Sequence, residues 1–211
     1  MIPLTAFGLL WRFKISEPLL IAASLFAIAT LVSAQTSREW RTGQTGRGTA
    51  RWIRQSAGLT YQGGAAFGWA VLEGTSLRDG WVETRFQPVD GREDRAGGVV
   101  WRWRDADNYY VARGNALENN VVAYKVVEGR RTDLTPVGAP PGTYGMPVPV
   151  ATATWHTLRV DFAGNEFVVT FDGRRLFAAR DATLPDAGPV GVWSKADSVT
   201  EFDTFHYEGN P

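Results

Sequence analysis

Three features of the sequence predict an all-β fold built as two antiparallel sheets packed face to face. Turn-forming residues are dense, with 23 Gly and 11 Pro among 211 residues. Between them recur short runs rich in Val, Tyr, Trp and Phe, the residue types that suit a half-buried pleated surface. After residue 40 no long stretch of Ala, Leu, Glu and Lys recurs at helical spacing. Ten to twelve such runs can be counted, about as many as one open twisted sheet holds or more, so they divide into two layers. With 44% hydrophobic residues the chain can bury a substantial core as one domain.

The first element is not part of that core. Arg12 and Lys14 precede the uncharged run Leu19 to Val32, and Val32-Ser33-Ala34 offers the small residues that a signal peptidase reads. A signal peptide over 1–34, cut after Ala34, is the reading adopted. The run falls short of the ~20 apolar residues that a spanning helix needs. The alternative is a retained anchor, with the domain tethered to a membrane by its N-terminus. Cleavage makes the protein secreted or periplasmic. The chain has no Cys, so a disulfide framework, a thiolate nucleophile and a thiolate metal site are all excluded. Without residues 1–34 the chain keeps 20 basic and 21 acidic residues. That balance argues against nucleic acid, which calls for a basic field or stripe.

Residues 35–64 are rich in Thr, Gly, Arg, Gln and Ser, with Trp40, Trp52 and Tyr61 among them. They read as a weakly determined segment, loosely ordered up to Trp52, and the sandwich is assigned to 65–211. Phe67 to Leu72 is a strand. Trp81 to Val89 alternates cleanly, Val82, Thr84 and Phe86 against Trp81, Glu83, Arg85 and Gln87. Pro88 removes a ladder donor, so that strand should end there or lie at an edge.

Gly97 to Arg131 reads as a three-stranded meander of Val99 to Arg104, Tyr109 to Arg113 and Val121 to Val127. If Arg104 faces Tyr109, then Trp101, Trp103, Tyr110 and Ala112 share a core face. Arg102, Arg104, Tyr109, Val111 and Arg113 then share the other. Cations beside aromatics on a sheet suit a polyhydroxylated ligand, although solvated residues on the wet side of a sheet would show the same pattern. Thr132 to Pro149 contains five Pro and three Gly, which leaves a long loop, either a crossover between sheets or a lid. Trp155 to Phe162, Glu166 to Phe171 and Arg174 to Arg180 form a second meander. Its Asp172-Gly173 turn supplies the positive φ that a tight hairpin requires. Val190 to Trp193 and Val199 to Tyr207 complete the set.

Chemistry-bearing patterns are sparse. His156 and His206 are the only histidines and have no metal-ligand spacing. No Gly-x-Ser-x-Gly elbow and no phosphate loop occurs. Glu201 and Asp203 lie two apart and would project together as a glycosidase pair could, or as half of a surface network. Glu83 is the better-placed lone carboxylate. Asp105, Asp107 and Asn108 could surround Ca2+, but an ordinary hairpin turn explains them, and no metal site is assigned. The sequence names no cofactor.

Gly97 to Tyr110 (GGVVWRWRDADNYY), Arg113 to Val121 (RGNALENNV), Trp155 to Val160 (WHTLRV), Phe171 to Phe177 (FDGRRLF) and Gly191 to Asp203 (GVWSKADSVTEFD) together resemble the concanavalin A-like jelly rolls. More narrowly they look like the bacterial 3-keto-disaccharide hydrolase family and its laminin-G-like neighbours. The resemblance covers roughly residues 65–208. It implies a jelly-roll sandwich with one concave sheet that takes sugars, and an activity on glycosides oxidised at the third carbon. The Glu-x-Asp-x-x-Glu signature of related glycoside hydrolases is absent, so no catalytic residues are carried over.

The leading expectation is a secreted domain that binds carbohydrate on its concave sheet, through Trp81, Arg102, Arg113, Asn115 and Lys125. Lys125 joins that face only if the second hairpin's register allows it. One alternative is a hydrolase or lyase of oxidised glycosides with Glu83 as acid or base. The other is an adhesion or scaffold module, whose concave side would be flat and filled.

Overall fold

The computed structural model describes residues 39–211. The apolar run Leu19 to Val32 and the boundary after Ala34 lie outside them. Among the described residues there is no helix. The strands, in chain order, begin with β1 (Trp40–Gly48), β2 (Trp52–Gln55), β3 (Gly58–Gln62), β4 (Ala65–Leu72) and β5 (Asp79–Asp90). Then come β6 (Ala96–Asp105), β7 (Asn108–Asn115), β8 (Asn120–Val127), β9 (Arg130–Asp133) and the two-residue β10 (Met146–Pro147). The last five are β11 (His156–Ala163), β12 (Glu166–Phe171), β13 (Arg174–Arg180), β14 (Gly191–Ala196) and β15 (Val199–Asn210).

They form two antiparallel sheets. One runs β1-β4-β14-β6-β7-β8-β10, with β9 also on β8; the other runs β13-β12-β11-β5-β15-β3-β2. The interior between them takes alternate residues from each. Ala70, Val99, Trp101, Tyr110 and Ala112 come from the first sheet, and Val82, Phe86, Val160, Phe167 and Val169 from the second. Trp101 stacks on Tyr110 at 5.4 Å and meets Phe167 edge-on at 5.2 Å. The all-β jelly-roll sandwich expected from periodicity is the fold observed.

The meander and the hairpins behave as their turn chemistry dictates. Asp172 and Gly173 both take positive φ, 47° and 74°, the geometry that matches the twist of the flanking strands. Strand β5 continues past Pro88 to Asp90. The missing donor is tolerated because the pairing with β11 stops at Phe86, so Pro88 has a ladder partner only on the β15 side.

Two expectations are corrected. The sandwich starts at Trp40, not at residue 65, because β1 pairs with β4, and β2 and β3 extend the second sheet beyond β15. Strand β1 carries little hydrophobic signal because it is an edge strand in which Thr45 alone is buried. The second correction concerns the face pattern of β6. Between Trp101 and Asp105 the β6–β7 register shifts, and Arg102 takes φ 46°. This irregularity turns Trp103 to the outer face, beside Tyr109, and carries Arg102 to the sandwich side.

Candidate functional site

The first sheet is strongly curled. Its outer face folds over itself until strands that are not neighbours touch. The Thr45 hydroxyl of β1 donates to the Ala106 carbonyl and lies 2.9 Å from the Tyr109 hydroxyl of β7. Gly43 makes this closure possible: a Cβ there would lie 2.5 Å from Cζ2 of Trp69, whose indole crosses β1 at that point. Trp69, Trp103, Tyr109, Val111, Val126 and Trp193 fill this half of the concavity as a second apolar cluster. Burial pushes the Tyr109 phenol up to about 12, although hydrogen bonds with Thr45 and Trp193 oppose it. A floor with so little access to water is structural.

The other half is polar and open. Arg113 on β7 is fully buried. Its Nη2 donates to Glu118 Oε2 at 2.7 Å, and to the hydroxyls of Tyr124 and Tyr144 at 3.0 Å each. Asn120 Oδ1 accepts from Nη1. Asn115, two residues on and therefore on the same face, donates to Glu118 Oε1 at 3.0 Å and to Asp94 Oδ1 at 2.6 Å. Asp94 in turn pairs with Lys195 Nζ at 2.6 Å. One connected network thus runs Lys195–Asp94–Asn115–Glu118–Arg113 and ends at two phenols. Burial alone would raise the Glu118 carboxyl, but the charge and hydrogen bond of Arg113 outweigh it and hold the group below the usual carboxylate range. Burial would likewise lower Arg113, and Tyr124, Glu118 and Tyr144 reverse that, so the guanidinium stays charged.

Above this network sits Arg131, from the edge strand β9. Its guanidinium lies 4.4 Å from the ring centre of Tyr124 and 5.1 Å from that of Phe67 on β4, and so bridges the curl. Among the described residues it has no ion pair, and its Nη1 is buried without a hydrogen bond. Phe67 and Lys195 also line a cleft of about 720 Å³, together with Arg47, Arg51, Gln62 and Asp197. Asp197 accepts the backbone N–H groups of Arg92, Glu93 and Asp94, and so fixes the loop that carries Asp94 to the site. An aromatic wall, fixed donors and an open cleft can hold a ring that is polar at its edge and apolar on its face.

The residues singled out from sequence fall in three places. Arg113 and Asn115 lie together in this network. Trp81 and Glu83 project from the outer face of the second sheet, where Arg159 stacks on Trp81 at 3.9 Å and Glu83 stands between Arg159 and His206 across the ladder. Arg102 and Lys125 are directed to the sandwich side, where both fasten the loop after β13. Arg102 donates to the carbonyls of Arg78, Leu184 and Gly164, at 2.8, 3.3 and 2.8 Å. Lys125 pairs with Asp181 at 2.7 Å. Lys125 shares the parity of the core residues Val121 and Ala123, so it does not join Arg113. Arg102, Arg113 and Glu83 therefore do not converge in one cleft.

The remaining candidates have structural partners. Asp203 pairs with Arg85 at 3.2 Å on the second sheet's outer face. Asp105 caps its own turn by accepting from the Asp107 N–H and Asn108 Nδ2. No cluster of three His, Cys, Asp or Glu residues that could hold a metal occurs among the described residues. Sequence reasoning did not select Arg131, Glu118, Lys195, Asp94 or Phe67. Only Arg131 carried a signal, as the second of the two arginines that follow the Glu128-Gly129 turn, which returns the chain onto β8.

No protein-family model and no curated protein sequence matches the chain. Solved structures do. Carbohydrate-binding module CBM66 from Bacillus subtilis is 20% identical with a TM-score of 0.66, over 81% of this chain and 95% of that one. A Bacillus subtilis protein of unknown function with a galectin-like fold is 9% identical with a TM-score of 0.55, over 81% and 89%. The exoplasmic/lumenal domain of VIP36, in a Ca2+/Man-bound form, is 12% identical with a TM-score of 0.57, over 81% and 83%. These likenesses agree with the architecture: the chain has a jelly-roll sandwich fold like theirs.

Proposed function

We propose that the protein is a carbohydrate-binding domain, and that the sugar lies in the open half of the curled sheet between Phe67, Arg131 and the Asn115–Glu118–Arg113 network. The observation that carries this reading is the unfinished hydrogen bonding of that face. Arg131 Nη1 is a buried donor without a partner among the described residues, and its guanidinium stands beside the Phe67 ring, which lines a cleft of about 720 Å³. An unmet buried donor costs about 1–3 kcal/mol, and saccharide oxygens are suitable acceptors. The carbohydrate-binding module and the mannose-bound lumenal domain among the structural neighbours support the same ligand class.

A glycan array followed by calorimetry on the purified protein tests this. Binding of at least one oligosaccharide, weakened in Phe67→Ala, whose ring lines the cleft, while circular dichroism shows the variant still folded, is the expected result. Binding to no glycan at millimolar concentration contradicts it. The proposal includes export, with cleavage after Ala34, in keeping with the short apolar run and the absence of Cys. N-terminal sequencing of the protein from its native cells should find Gln35 first. A chain that still begins near Met1 and sediments with membranes contradicts export by cleavage.

A further inference from the structure

We infer that the saccharide taken by this site carries a carboxylate, as a uronic acid does. The inference rests on the carbohydrate reading above and specifies its ligand class. The unmet side-chain group beside the cleft is a donor, Arg131 Nη1, next to the Phe67 ring. The carboxylates of the network and of Asp197 are already engaged, and Asp133, which shares the Arg131 face of β9, makes no ion pair with it. Glu118 accepts from Arg113, Asn115 and Asn120, Asp94 from Asn115 and Lys195, and Asp197 from three backbone N–H groups. Glu93, exposed at the rim of the cleft, is the remaining acid in its lining. Arg113 and Lys195 are each neutralised by an acid of the protein, and Arg131 is not.

The contrast matters once a ligand covers the site. A neutral sugar closing over Arg131 would strip water from a cation and return only dipoles, and burying an unpaired charge is costly. A carboxylate supplies the missing counter-charge. It also matches the planar guanidinium fork with two parallel hydrogen bonds, a geometry that a lysine cannot offer. Phe67 and Tyr124 fix the orientation of that fork. Arg131 sits on a four-residue edge strand, and its guanidinium lies against Phe67, whose ring also lines the cleft.

The test is calorimetry of the full chain against a panel of galacturonate, glucuronate, mannuronate and guluronate oligosaccharides, each beside its uncharged methyl ester, together with neutral glycans. At least one acid should bind about tenfold or more tighter than its ester, the size expected of a charge-assisted pair. Arg131→Gln should erase that preference by weakening acid binding at least tenfold more than ester binding. Arg131→Lys should restore part of it, and Arg174→Gln, on the β12–β13 turn of the other sheet, should change nothing. Circular dichroism confirms that each variant is folded. Equal affinity for acid and ester, or binding of neutral glycans alone, overturns the carboxylate inference and leaves the carbohydrate reading standing. Binding of no saccharide overturns both.

Discussion

Replacing Arg113 with Met should destabilise the protein by about 3 kcal/mol, because removing one member of a buried ion pair costs about 3–5 kcal/mol and here the cost falls at the lower end. Arg113 has no exposed side-chain surface, whereas Glu118 is 36% exposed, so water reclaims part of what the carboxylate loses. The two phenols keep each other as partners. Methionine retains most of the aliphatic stem, so the measured loss reports charge and hydrogen bonding more than a cavity. For a domain of this size about 3 kcal/mol corresponds to a fall in Tm of roughly 6–12 °C. The pH dependence supplies a second readout. In the folded protein the Glu118 carboxyl is held below its unfolded value, so its contribution is present above about pH 4.3 and is lost as pH falls through the folded pKa. The gap between wild type and variant, followed by thermal circular dichroism from about pH 7 to about pH 3, should therefore narrow toward acid. A Tm change under about 2 °C, or a gap that stays constant with pH, refutes the account of this network.

Asp181 should contribute in the same sense at the other end of the sandwich. Burial would raise it, but hydrogen bonds from Lys125, Thr183 and Tyr110 outweigh burial and hold it at about 2, so Asp181→Asn should cost about 2 kcal/mol at neutral pH. That difference should disappear between about pH 4 and pH 2, and an acid-independent difference counts against it. Gly43→Ala places a Cβ against the Trp69 indole. It should lower stability by about 1–3 kcal/mol and shift the tryptophan fluorescence as the curl opens; unchanged emission would show that the closure does not depend on this glycine. Glu83→Gln, on the outer face of the other sheet, should leave saccharide affinity within about twofold of wild type, and a loss of binding would move the site to that sheet.

The fold was legible because its signals are local. Alternation in Trp81 to Val89 and the Asp172-Gly173 turn each specify a strand or a hairpin without reference to the rest of the chain. Strand β1 was not legible, since an edge strand with one buried residue has little pattern to show. The site was legible by half. Arg113 and Asn115 share a face by simple parity on β7, and the structure joins them. Arg102 could not be placed by parity because the irregularity at that very residue reverses it. Arg131 and Phe67 lie on strands far apart in sheet order, and only the curl of the sheet brings them within 5.1 Å. Glu118 and Asp94 belong to loops whose direction is set by Asn115, a tertiary contact with no counterpart in sequence spacing. Trp81 and Glu83 have the alternation of a binding face but lie on the sheet that the curl does not enclose.

The most direct test of the central claim is to locate a bound saccharide by crystallography or by amide and side-chain NMR shifts. The account predicts density, or the largest shifts, at Phe67, Asn115, Arg131 and Lys195, at the open end of the curled sheet. Ligand found instead on the second sheet around Trp81 and Trp155, with the curled sheet unchanged, would contradict it.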